Sequence, residues 1–272
     1  MHIIVPIKQV PESSNVKMDP ETGTMIRSGT ISVLNPLDLY ALETALRLKE
    51  QIGGTVTALT MGPQNAKRIL AEAIAMGADE AVHLSDRSFG GSDTYATSYI
   101  LALAIEKLGE VDLVLTGERA TDGDTAQVGP GIAAWLDMPI ITYVSSLNHE
   151  KDSTFHAERL VEEGYQQLRF STPAVLSVVK EIAEVRLPTL RGKKRAMVSE
   201  IPTWGFDELK PEVGFIGLKG SPTRVVKIET PKVQRTCTVV KANDDSPAEA
   251  VAELIQYLEG KGLLPTLGEN HA

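Results

Sequence analysis

The sequence is poor in the residue types on which several common classes of protein depend. Its one cysteine, Cys237, excludes an internal disulfide and a thiolate metal cluster, and its five histidines show no metal-ligand spacing. Aromatic residues make up only 5% of the chain, which disfavours surfaces that stack nucleic-acid bases. Its 27 basic residues are outnumbered by 36 acidic ones, and the resulting net charge of −9 argues against sequence-independent binding of nucleic acid. We therefore expect no nucleic-acid partner.

Long apolar runs are also missing. No run approaches the roughly 18 residues that a membrane-spanning helix needs, and the segment MHIIVPIK at residues 1–8 is too short and wrongly flanked for a signal peptide. The hydrophobic content of 42% and charged content of 23% are typical of a globular protein. A chain of 272 residues can build one large domain, or one domain with a substantial appendage. We expect an acidic, globular, cytoplasmic protein without membrane insertion.

Apolar periodicity predicts alternating strands and helices through residue 142. Short apolar or β-branched strands alternate with helices that have cap residues at their starts and glycines at their ends. The first helix is predicted to begin at Asn35, a good N-cap, with Pro36 in the first helical position. The predicted strands are 2–8, 55–61, 80–84, 112–116 and 139–142, and the other predicted helices begin near residues 64, 93 and 125. This order is typical of an α/β, Rossmann-like fold, a parallel sheet with helices on both faces.

The pattern changes in the second half of the chain. The first elements predicted after residue 142 are an antiparallel hairpin, with strands at 155–161 and 165–170, and then an apolar strand at 173–179. Residues 186–195 form a basic segment, which we interpret either as a solvated helix face or as a docking surface. From 203 to 238, proline and glycine recur without lasting periodicity, which predicts an extended arm without a core of its own. A final helix is predicted to start after Ser246.

The stretch from Asp112 to Trp135 is the most informative part of the sequence. It predicts a buried strand, then a polar loop with two glycines and two aspartates, and then a helix starting near Thr125, capped by Asp124 or Thr125. A strand, a glycine-containing loop and a helix start together form the usual position of a phosphate in an open α/β sheet. The loop matches neither GxGxxG nor a Walker A motif. The residues alone therefore leave two interpretations open, a capped turn and a phosphate site.

The loops expected at the carboxyl edge of the sheet contain many small, hydroxyl and amide groups but few candidate bases or nucleophiles. The segments expected to converge there are 8–11, 61–64, 85–94 and 116–127, together with 35–38 at the start of the first helix. No Ser/His/Asp or Cys/His arrangement is present, so we predict a site that holds a cofactor and has no catalytic residue. Asp38, Asp122 and Asp124 could instead bind a metal ion, although the chain has no phosphate-partner motif.

Several motifs resemble those of the β subunits of electron transfer flavoproteins. AERLVEEGYQQL at 157–168, followed by PAVLS at 173–177, meets every fixed position of that family's signature. The signature runs from a small residue and a base, through an acidic-glycine turn, to a Gln and then a Pro followed by aliphatic residues. The family's KQVP, NP, MGPQ and AMGAD motifs are present at 8–11, 35–36, 61–64 and 75–79. The resemblance covers essentially the whole chain.

The resemblance implies pairing with an α subunit that carries one FAD and passes electrons between flavoproteins. In the family's β subunit, a loop and three other segments bind an adenine nucleotide. One branch binds AMP as a structural ligand, and an electron-bifurcating branch binds a whole FAD that takes a hydride from NADH. The implied cofactor-binding residues are Pro6, Asn35, Pro36, Leu37, Asp38, Met61, Gly117, Glu118, Arg119, Ala120, Thr121, Asp122, Gly123, Asp124, Thr125, Ala126, Gln127 and Val128.

The loop sequence DGDTAQVGP at 122–130 resembles the bifurcating branch. The AMP-binding branch tends to have a run of acidic residues with Asn before the Gln. Gly123 and Ala126, in place of bulkier residues, permit a closer approach of the backbone to a diphosphate, and Thr125, Gln127 and the first helix amides could donate to it. This resemblance implies FAD as cofactor and NADH as substrate, with AMP as the alternative. A stand-alone nucleotide-binding protein of the related superfamily is a third hypothesis.

The resemblance also implies roles for the rest of the chain. Residues 1–185 would form the nucleotide-binding α/β domain, and 186–272 a recognition loop and an arm that packs on the α subunit. In the family this loop anchors a partner dehydrogenase, most often an acyl-CoA dehydrogenase-like flavoenzyme, with a 2-hydroxy acid dehydrogenase as an alternative. The low-potential acceptor would be ferredoxin or flavodoxin. The implied docking residues are Leu187 and Leu190 as apolar anchors and Lys193, Lys194 and Arg195 as steering charges.

Overall fold

The computed structural model describes residues 1–12, 32–226 and 247–264. The strands are β1 His2–Pro6, β2 Gln9–Pro11, β3 Ser32–Leu34, β4 Thr55–Met61, β5 Glu80–Leu84, β6 Leu113–Gly117, β7 Ile140–Lys151, β8 Thr154–Val161, β9 Gly164–Ser171, β10 Ala174–Val178 and β11 Thr203–Trp204. The helices are α1 Pro36–Ile52, α2 Lys67–Met76, α3 Thr94–Leu108, α4 Val128–Leu136, α5 Leu190–Val198, α6 Phe206–Leu209, α7 Gly217–Gly220 and α8 Pro247–Gly260. The chain divides into two compact units, Met1–Ile228 and Glu229–Ala272.

Among the described residues, nine strands form one sheet in the order β11-β5-β4-β1-β6-β10-β7-β8-β9, and β2 pairs with β3 in a separate antiparallel sheet. The strands from β11 to β7 are parallel, whereas β8 and β9 extend the sheet as an antiparallel hairpin. The predicted fold class is confirmed: the structure is α/β, with a largely parallel sheet, flanking helices and an added hairpin.

The sheet is buried on both faces because its strands place apolar residues on each side. In β1, Ile3 and Val5 join the core under α1 and α2, and Ile4 joins the core under α3 and α4. Successive side chains of a strand point to opposite faces, so a continuous apolar run is suited to a sheet covered twice. This burial fixes the central strands, and with them the loops that leave their carboxyl ends.

Strand β7 is much longer than the four residues predicted at 139–142. It starts parallel to β10 and then, beyond Val144, continues as the antiparallel neighbour of β8. Ser145, Ser146 and Asn148 make the second half of β7 polar. A strand that is partly exposed lacks the apolar run by which buried parallel strands are identified, and this explains why the sequence prediction ended it early.

Residues 203–226 belong to the first unit and are not an extended arm. Strand β11 pairs in parallel with β5 at the edge of the sheet, and the side chains of Leu209 and Ile216 are buried in the core beneath α3. The two compact units divide after Ile228, and the functional boundary predicted after residue 185 stays a prediction. The rest of the predicted arm, residues 227–238, lies outside the described residues. Isolated apolar residues between prolines and glycines give no local periodicity, so these long-range contacts were not predictable. Cys237 and Ser246 lie outside the described residues.

The last described helix, α8, begins at Pro247, in agreement with the predicted final helix. Among the helices of the described residues, none is long and apolar enough to cross a membrane.

Candidate nucleotide-binding site

The predicted loops meet where the order of the strands reverses. From β1 the chain proceeds to β4 and β5 on one side, and then crosses to β6 on the other side of β1. Such a reversal opens a crevice beyond the carboxyl ends of the strands, where ligands of α/β folds bind. Lys8 follows β1 and the loop 117–127 follows β6, so both lie at this crevice.

Lys8 connects three of the predicted segments. Its ammonium nitrogen lies 2.6 Å from Oδ1 of Asp122, and its backbone N–H donates to Oδ2 of Asp38 at 2.7 Å. The Lys8 side chain remains 48% exposed. It therefore presents a positive charge at the mouth of the crevice while fixing the loop after β6.

Asn35 holds the loop from beneath. It is completely buried; its Nδ2 donates to the carbonyl oxygen of Arg119 at 2.9 Å, and its Oδ1 accepts from the N–H of Thr121 at 3.2 Å. The residue lies at the N-cap position of α1, as predicted, but its side chain makes no capping hydrogen bond there. The prediction of a side-chain cap was therefore wrong, because the buried loop backbone offers Asn35 a partner for both ends of its amide.

Asp38 forms the floor of the site. It is 7% exposed, and burial raises the pKa of its carboxyl group to about 7, against the lowering effects of the Asn35 side chain and the Lys8 amide. Gly117 packs directly on it: a Cβ at Gly117 would lie 2.5 Å from Oδ1 of Asp38 and 2.8 Å from the carbonyl oxygen of Leu37. Only glycine lets the end of β6 approach the start of α1 so closely.

The loop after β6 is longer than predicted, because α4 begins at Val128 and not near Thr125. Asp124 and Ala126 both have φ of 54°, in the left-handed region, so neither continues a right-handed helix. For Ala126 this conformation costs on the order of 1–2 kcal/mol, which the surrounding loop must offset. The predicted cap at Asp124 or Thr125 is wrong, since Gln127 occupies the N-cap position and makes no side-chain capping bond.

The start of α4 offers hydrogen-bond donors at the end of this loop. Its first turn contains the amides of Val128 and Gly129, whereas Pro130 has none, and the side chain of the N-cap residue Gln127 does not cap it. A Cβ at Gly129 would lie 2.8 Å from Oγ1 of Thr116, so glycine brings the helix start close to the end of β6. That hydroxyl is buried and has no hydrogen-bond partner among the described residues. An uncapped helix start of this kind can bind an anion.

The charged residues of the loop are paired with each other. The guanidinium of Arg119 lies 3.1 Å from both Oε1 of Glu118 and Oδ1 of Asp124. Within the described residues, no group of three or more His, Cys, Asp or Glu is arranged to hold a metal ion. The three aspartates considered for a metal are bonded instead to Lys8 and Arg119, which argues against that alternative.

The other predicted residues surround this centre to different degrees. Pro6 is buried in β1, and Met61 and Leu37 are half-buried. Gln127 is exposed, and its Oε1 accepts from the hydroxyl of Thr94 at 2.8 Å. The exposed members of the set are Pro36, Arg119, Thr121, Asp122, Gly123, Asp124 and Thr125, and the half-buried members are Glu118, Ala120, Ala126 and Val128. Pro6 and Met61 lie at the carboxyl ends of β1 and β4, and the other sixteen residues lie around the start of α1 or between the end of β6 and the start of α4.

Sequence reasoning missed His83 as a residue that shapes this site. It is completely buried in β5, and its Nε2 lies 3.0 Å from the carbonyl oxygen of Gly62, so it can hold the turn that follows Met61. Burial lowers the pKa of His83, which keeps the ring neutral. Its Nδ1 has no partner among the described residues. A histidine inside an apolar strand gives no signal beyond that of a core position, which is why it was not singled out.

The residues predicted for docking form a separate surface on and before α5. Leu187 and Leu190 are 85% and 81% exposed, and Lys193 and Lys194 are also exposed. Further along α5, Met197 and Val198 extend the exposed apolar surface, although the sequence analysis did not include them. The predicted docking residues are thus brought together, apart from the crevice.

Arg195 differs from the other predicted docking residues. Its Nη2 donates to the carbonyl oxygens of Ile74 and Ala78, at 2.6 and 2.5 Å, at the end of α2. A guanidinium at the carboxyl end of a helix interacts favourably with the negative end of the helix dipole and gives the last carbonyls a further donor. Arg195 therefore attaches α5 to α2, and its predicted steering role stays a prediction.

Arg186, directly before the predicted docking residues, attaches the chain to α1. Nε of Arg186 lies 2.8 Å from Oε2 of Glu43, and Nη1 lies 2.5 Å from Oε1 of Glu50. Burial alone would raise the pKa of Glu43, but hydrogen bonds from Arg186 and Arg47 outweigh it and lower this pKa. Bidentate pairing of this kind is geometrically specific. The pairing fixes the chain to α1 directly before the exposed Leu187.

Comparison with known proteins identifies the family. An electron transfer flavoprotein domain matches residues 22–206. The electron transfer flavoprotein subunit beta of Thermoanaerobacterium thermosaccharolyticum is 44% identical, over 97% of this chain and 100% of the relative. The caffeyl-CoA reductase–Etf complex subunit CarD of Acetobacterium woodii is 47% identical, over 85% and 88%, and the protein FixA of Azotobacter vinelandii is 43% identical, over 91% and 90%. The chain belongs to the electron transfer flavoprotein family, and its relatives include beta subunits of that family.

Proposed function

We propose that this chain is the β subunit of a heterodimeric, electron-bifurcating flavoprotein, and that the loop 117–128 binds FAD. NADH would donate a hydride to the site, and electrons would pass both to ferredoxin or flavodoxin and, through the FAD of the α subunit, to a partner dehydrogenase. The proposal is supported by the loop sequence, by its geometry and by the similarity to CarD, a subunit of a reductase–Etf complex.

The observation that carries the proposal is the start of α4, which follows a loop to which two cations are bonded. The amides of Val128 and Gly129 face the end of a loop that also contains Arg119 and is bonded to Lys8. Backbone amides at a helix start and nearby cations are the groups that bind a diphosphate. The donor set of the crevice therefore fits the phosphates of FAD.

The loop also leaves space for a close approach. Among the described residues, a Cβ added at Gly123 would have one neighbour within 4 Å, Nζ of Lys8 at 4.0 Å, so the peptide at Gly123 is open to a ligand. Asp122 and Asp124 would repel a diphosphate if they were unpaired. Because they are paired with Lys8 and Arg119, a diphosphate would compete for these two cations, at a modest cost for exposed pairs.

The roles of this chain's residues are binding and orientation. Bound FAD would supply hydride acceptance and one-electron transfer. Asn35 and Asp38 hold the loop and the end of β6 in place, and the α4 amides and Lys8 would fix the phosphates. We assign these residues no proton-transfer step, because the carboxylates of the described crevice residues are bonded to Lys8 and Arg119.

The partner surfaces are proposed from exposed apolar residues. Leu187 and Leu190, with Lys193 and Lys194, would anchor an acyl-CoA dehydrogenase-like flavoenzyme. In the second unit, α8 has a stripe of Val251, Leu254, Ile255 and Leu258 at helical spacing, and the first three are 43–53% exposed. We propose that α8 packs against the α subunit.

AMP would use the same phosphate donors, and in that case the chain would be a structural subunit of a non-bifurcating carrier. Counting the cofactors of the purified α–β pair decides between the two. Two FAD per heterodimer, reducible by NADH, is the expected result. One FAD and one AMP without reduction by NADH would refute the bifurcating assignment, and failure to purify with an FAD-containing partner would refute the heterodimer.

A further inference from the structure

A cavity of about 530 Å³ lies between α3 and α4, next to the loop site. Its lining includes Thr94, Tyr95, Gln127, Ala134 and Trp135, and among these Gln127 alone belongs to the implied cofactor site. The volume is within the range of about 300–1,000 Å³ that is usual for small-molecule sites. The cavity is therefore a second concave surface at the same end of the sheet.

Aromatic rings form one wall of this cavity. The ring centroids of Tyr95 and Trp135 lie 5.2 Å apart, and Phe215 packs against them at 6.2 and 5.7 Å. Tyr95 nevertheless remains 39% exposed. The mutual packing fixes the rings before any ligand arrives, and a fixed aromatic face stacks on planar bases irrespective of their identity. This wall suits a flat aromatic ligand.

Small residues on α4 leave room beside the rings. Gly131, Ala134 and Trp135 share one face of the helix, at a spacing of three and four residues. A Cβ at Gly131 would lie 2.5 Å from Oγ of Ser98, so the two helices are in tight contact there. The cavity opens at Ala134, which is exposed. A larger side chain at Ala134 would fill the space without disturbing the helix contact.

The polar groups of the cavity are few and fixed. The hydroxyl of Thr94 donates to Oε1 of Gln127 at 2.8 Å, which leaves the Gln127 amide nitrogen directed at other acceptors. Oδ2 of Asp93 accepts from both the N–H and the hydroxyl of Thr223, at 2.9 and 2.7 Å, and Oδ1 accepts from the N–H groups of Tyr95 and Ala96. These bonds attach the residues around 222–223 to the start of α3 as a further wall.

We infer that the cavity between α3 and α4 binds the aromatic base of a nucleotide, and specifically the adenosine half of NADH. The base would lie against Tyr95 and Trp135 over Ala134, and its phosphate side would face the amide of Gln127. This inference rests on the proposed function, which requires a second nucleotide in addition to FAD. It assigns the adenine base of the substrate to Tyr95, Ala134 and Trp135, which lie outside the cofactor loop.

The test uses the complete α–β pair and the variant Ala134→Leu, which fills the cavity. The KM for NADH and the inhibition constant of ADP-ribose are expected to rise together by at least about tenfold, the loss expected when a stacked base is displaced. Inhibition by nicotinamide mononucleotide, which lacks adenosine, should not change. Glu106→Leu is the matched control, because it adds a leucine to the exposed end of α3 about 16 Å from Tyr95.

A second variant, Tyr95→Leu, removes a stacking face while keeping an apolar side chain, and it should weaken ADP-ribose in the same direction. Unchanged constants for NADH and ADP-ribose, in a pair that NADH still reduces, would overturn the cavity assignment and leave the proposed function intact. If NADH does not reduce the unaltered pair, the proposed function fails. Calorimetry with ADP-ribose then tests the cavity assignment separately. The assignment is refuted if the unaltered pair and the Ala134→Leu variant bind ADP-ribose equally well, or if neither binds it.

Discussion

The ammonium nitrogen of Lys8 lies 2.6 Å from Oδ1 of Asp122, across 114 positions of sequence. This ion pair joins the end of β1 to the loop after β6, at the reversal of strand order. It gives the crevice a cation that is partly exposed and already oriented. We expect Lys8 to strengthen binding of a phosphate-bearing ligand, and the ion pair to hold the loop in the absence of ligand.

Replacing Lys8 with Met should weaken AMP binding to the cofactor-stripped α–β pair about five- to tenfold, because an exposed charge contact contributes about 1 kcal/mol. Equilibrium dialysis measures the affinity. Lys180→Met is the control, since Lys180 is an exposed lysine whose ammonium lies 3.9 Å from Glu181. Equal affinities of the two variants would show that Lys8 does not contact the phosphate.

The second prediction concerns the contribution of the buried Asn35 amide to stability. Asn35→Ala leaves the carbonyl of Arg119 and the N–H of Thr121 without these partners, which should lower the free energy of unfolding by about 1–3 kcal/mol. Urea denaturation measures this loss. The exposed Asn148→Ala should cost much less. A loss confined to nucleotide affinity, with unchanged stability, would contradict a structural role for Asn35.

Asp38 predicts how stability depends on pH. Burial raises the pKa of this carboxyl from 3.8 to about 7, so between these values the folded state keeps a proton that the unfolded state has released. Protonated Asp38 therefore favours the folded state at low pH, and this contribution is lost as pH rises from about 4 to 7. It amounts to roughly 4 kcal/mol over the full interval.

Asp38→Asn should remove this dependence, since an amide keeps an acceptor for the Lys8 N–H but does not titrate. The free energy of unfolding of the variant, relative to the unaltered chain, should increase as pH rises through the interval and become constant above about 7. Denaturation at several pH values provides the comparison. Parallel curves for the two proteins would mean that Asp38 titrates normally.

The docking proposal predicts a kinetic effect without a change in cofactor. Leu187→Ala should slow electron transfer to the partner dehydrogenase about tenfold, the usual loss at an apolar anchor. Stopped-flow reduction measures the rate. Leu218→Ala, at another leucine that is 62% exposed, should leave it unchanged. Loss of bound flavin in the Leu187 variant would show instead that this segment supports the fold.

Arg195 should behave as a structural residue. Arg195→Met leaves the carbonyls of Ile74 and Ala78 without this donor and should lower the free energy of unfolding by about 1–3 kcal/mol. Arg191→Met, at an exposed position on the same helix, is the control.

The salt dependence of docking should decrease when Lys193 and Lys194 are replaced. If Arg195→Met also decreases the salt dependence of docking while the free energy of unfolding is unchanged, Arg195 has the steering role that the sequence predicted.

Much of the architecture follows from local patterns in the sequence. Strands β4 and β5 match their predicted limits, α1 begins with Pro36 after Asn35 as predicted, and Asp93 caps α3. These features depend on neighbouring residues: apolar runs, a proline at the first helical position, and a carboxylate that accepts from the first amides of a helix. The motifs that identify the family are likewise contiguous and can be read without coordinates.

The tertiary structure decided how side chains are used when their partners are distant in sequence. Asn35 turns away from its helix to bind the loop around Thr121, Arg195 binds the end of α2, and Tyr95 meets Trp135 across two helices. The left-handed backbone of Ala126, which delays α4, also belongs to this group. Propensities describe a residue among its neighbours, whereas these arrangements depend on which buried groups the fold brings into contact. For that reason the sequence identified the family and predicted the cofactor loop, and the folded chain alone showed how the loop is held.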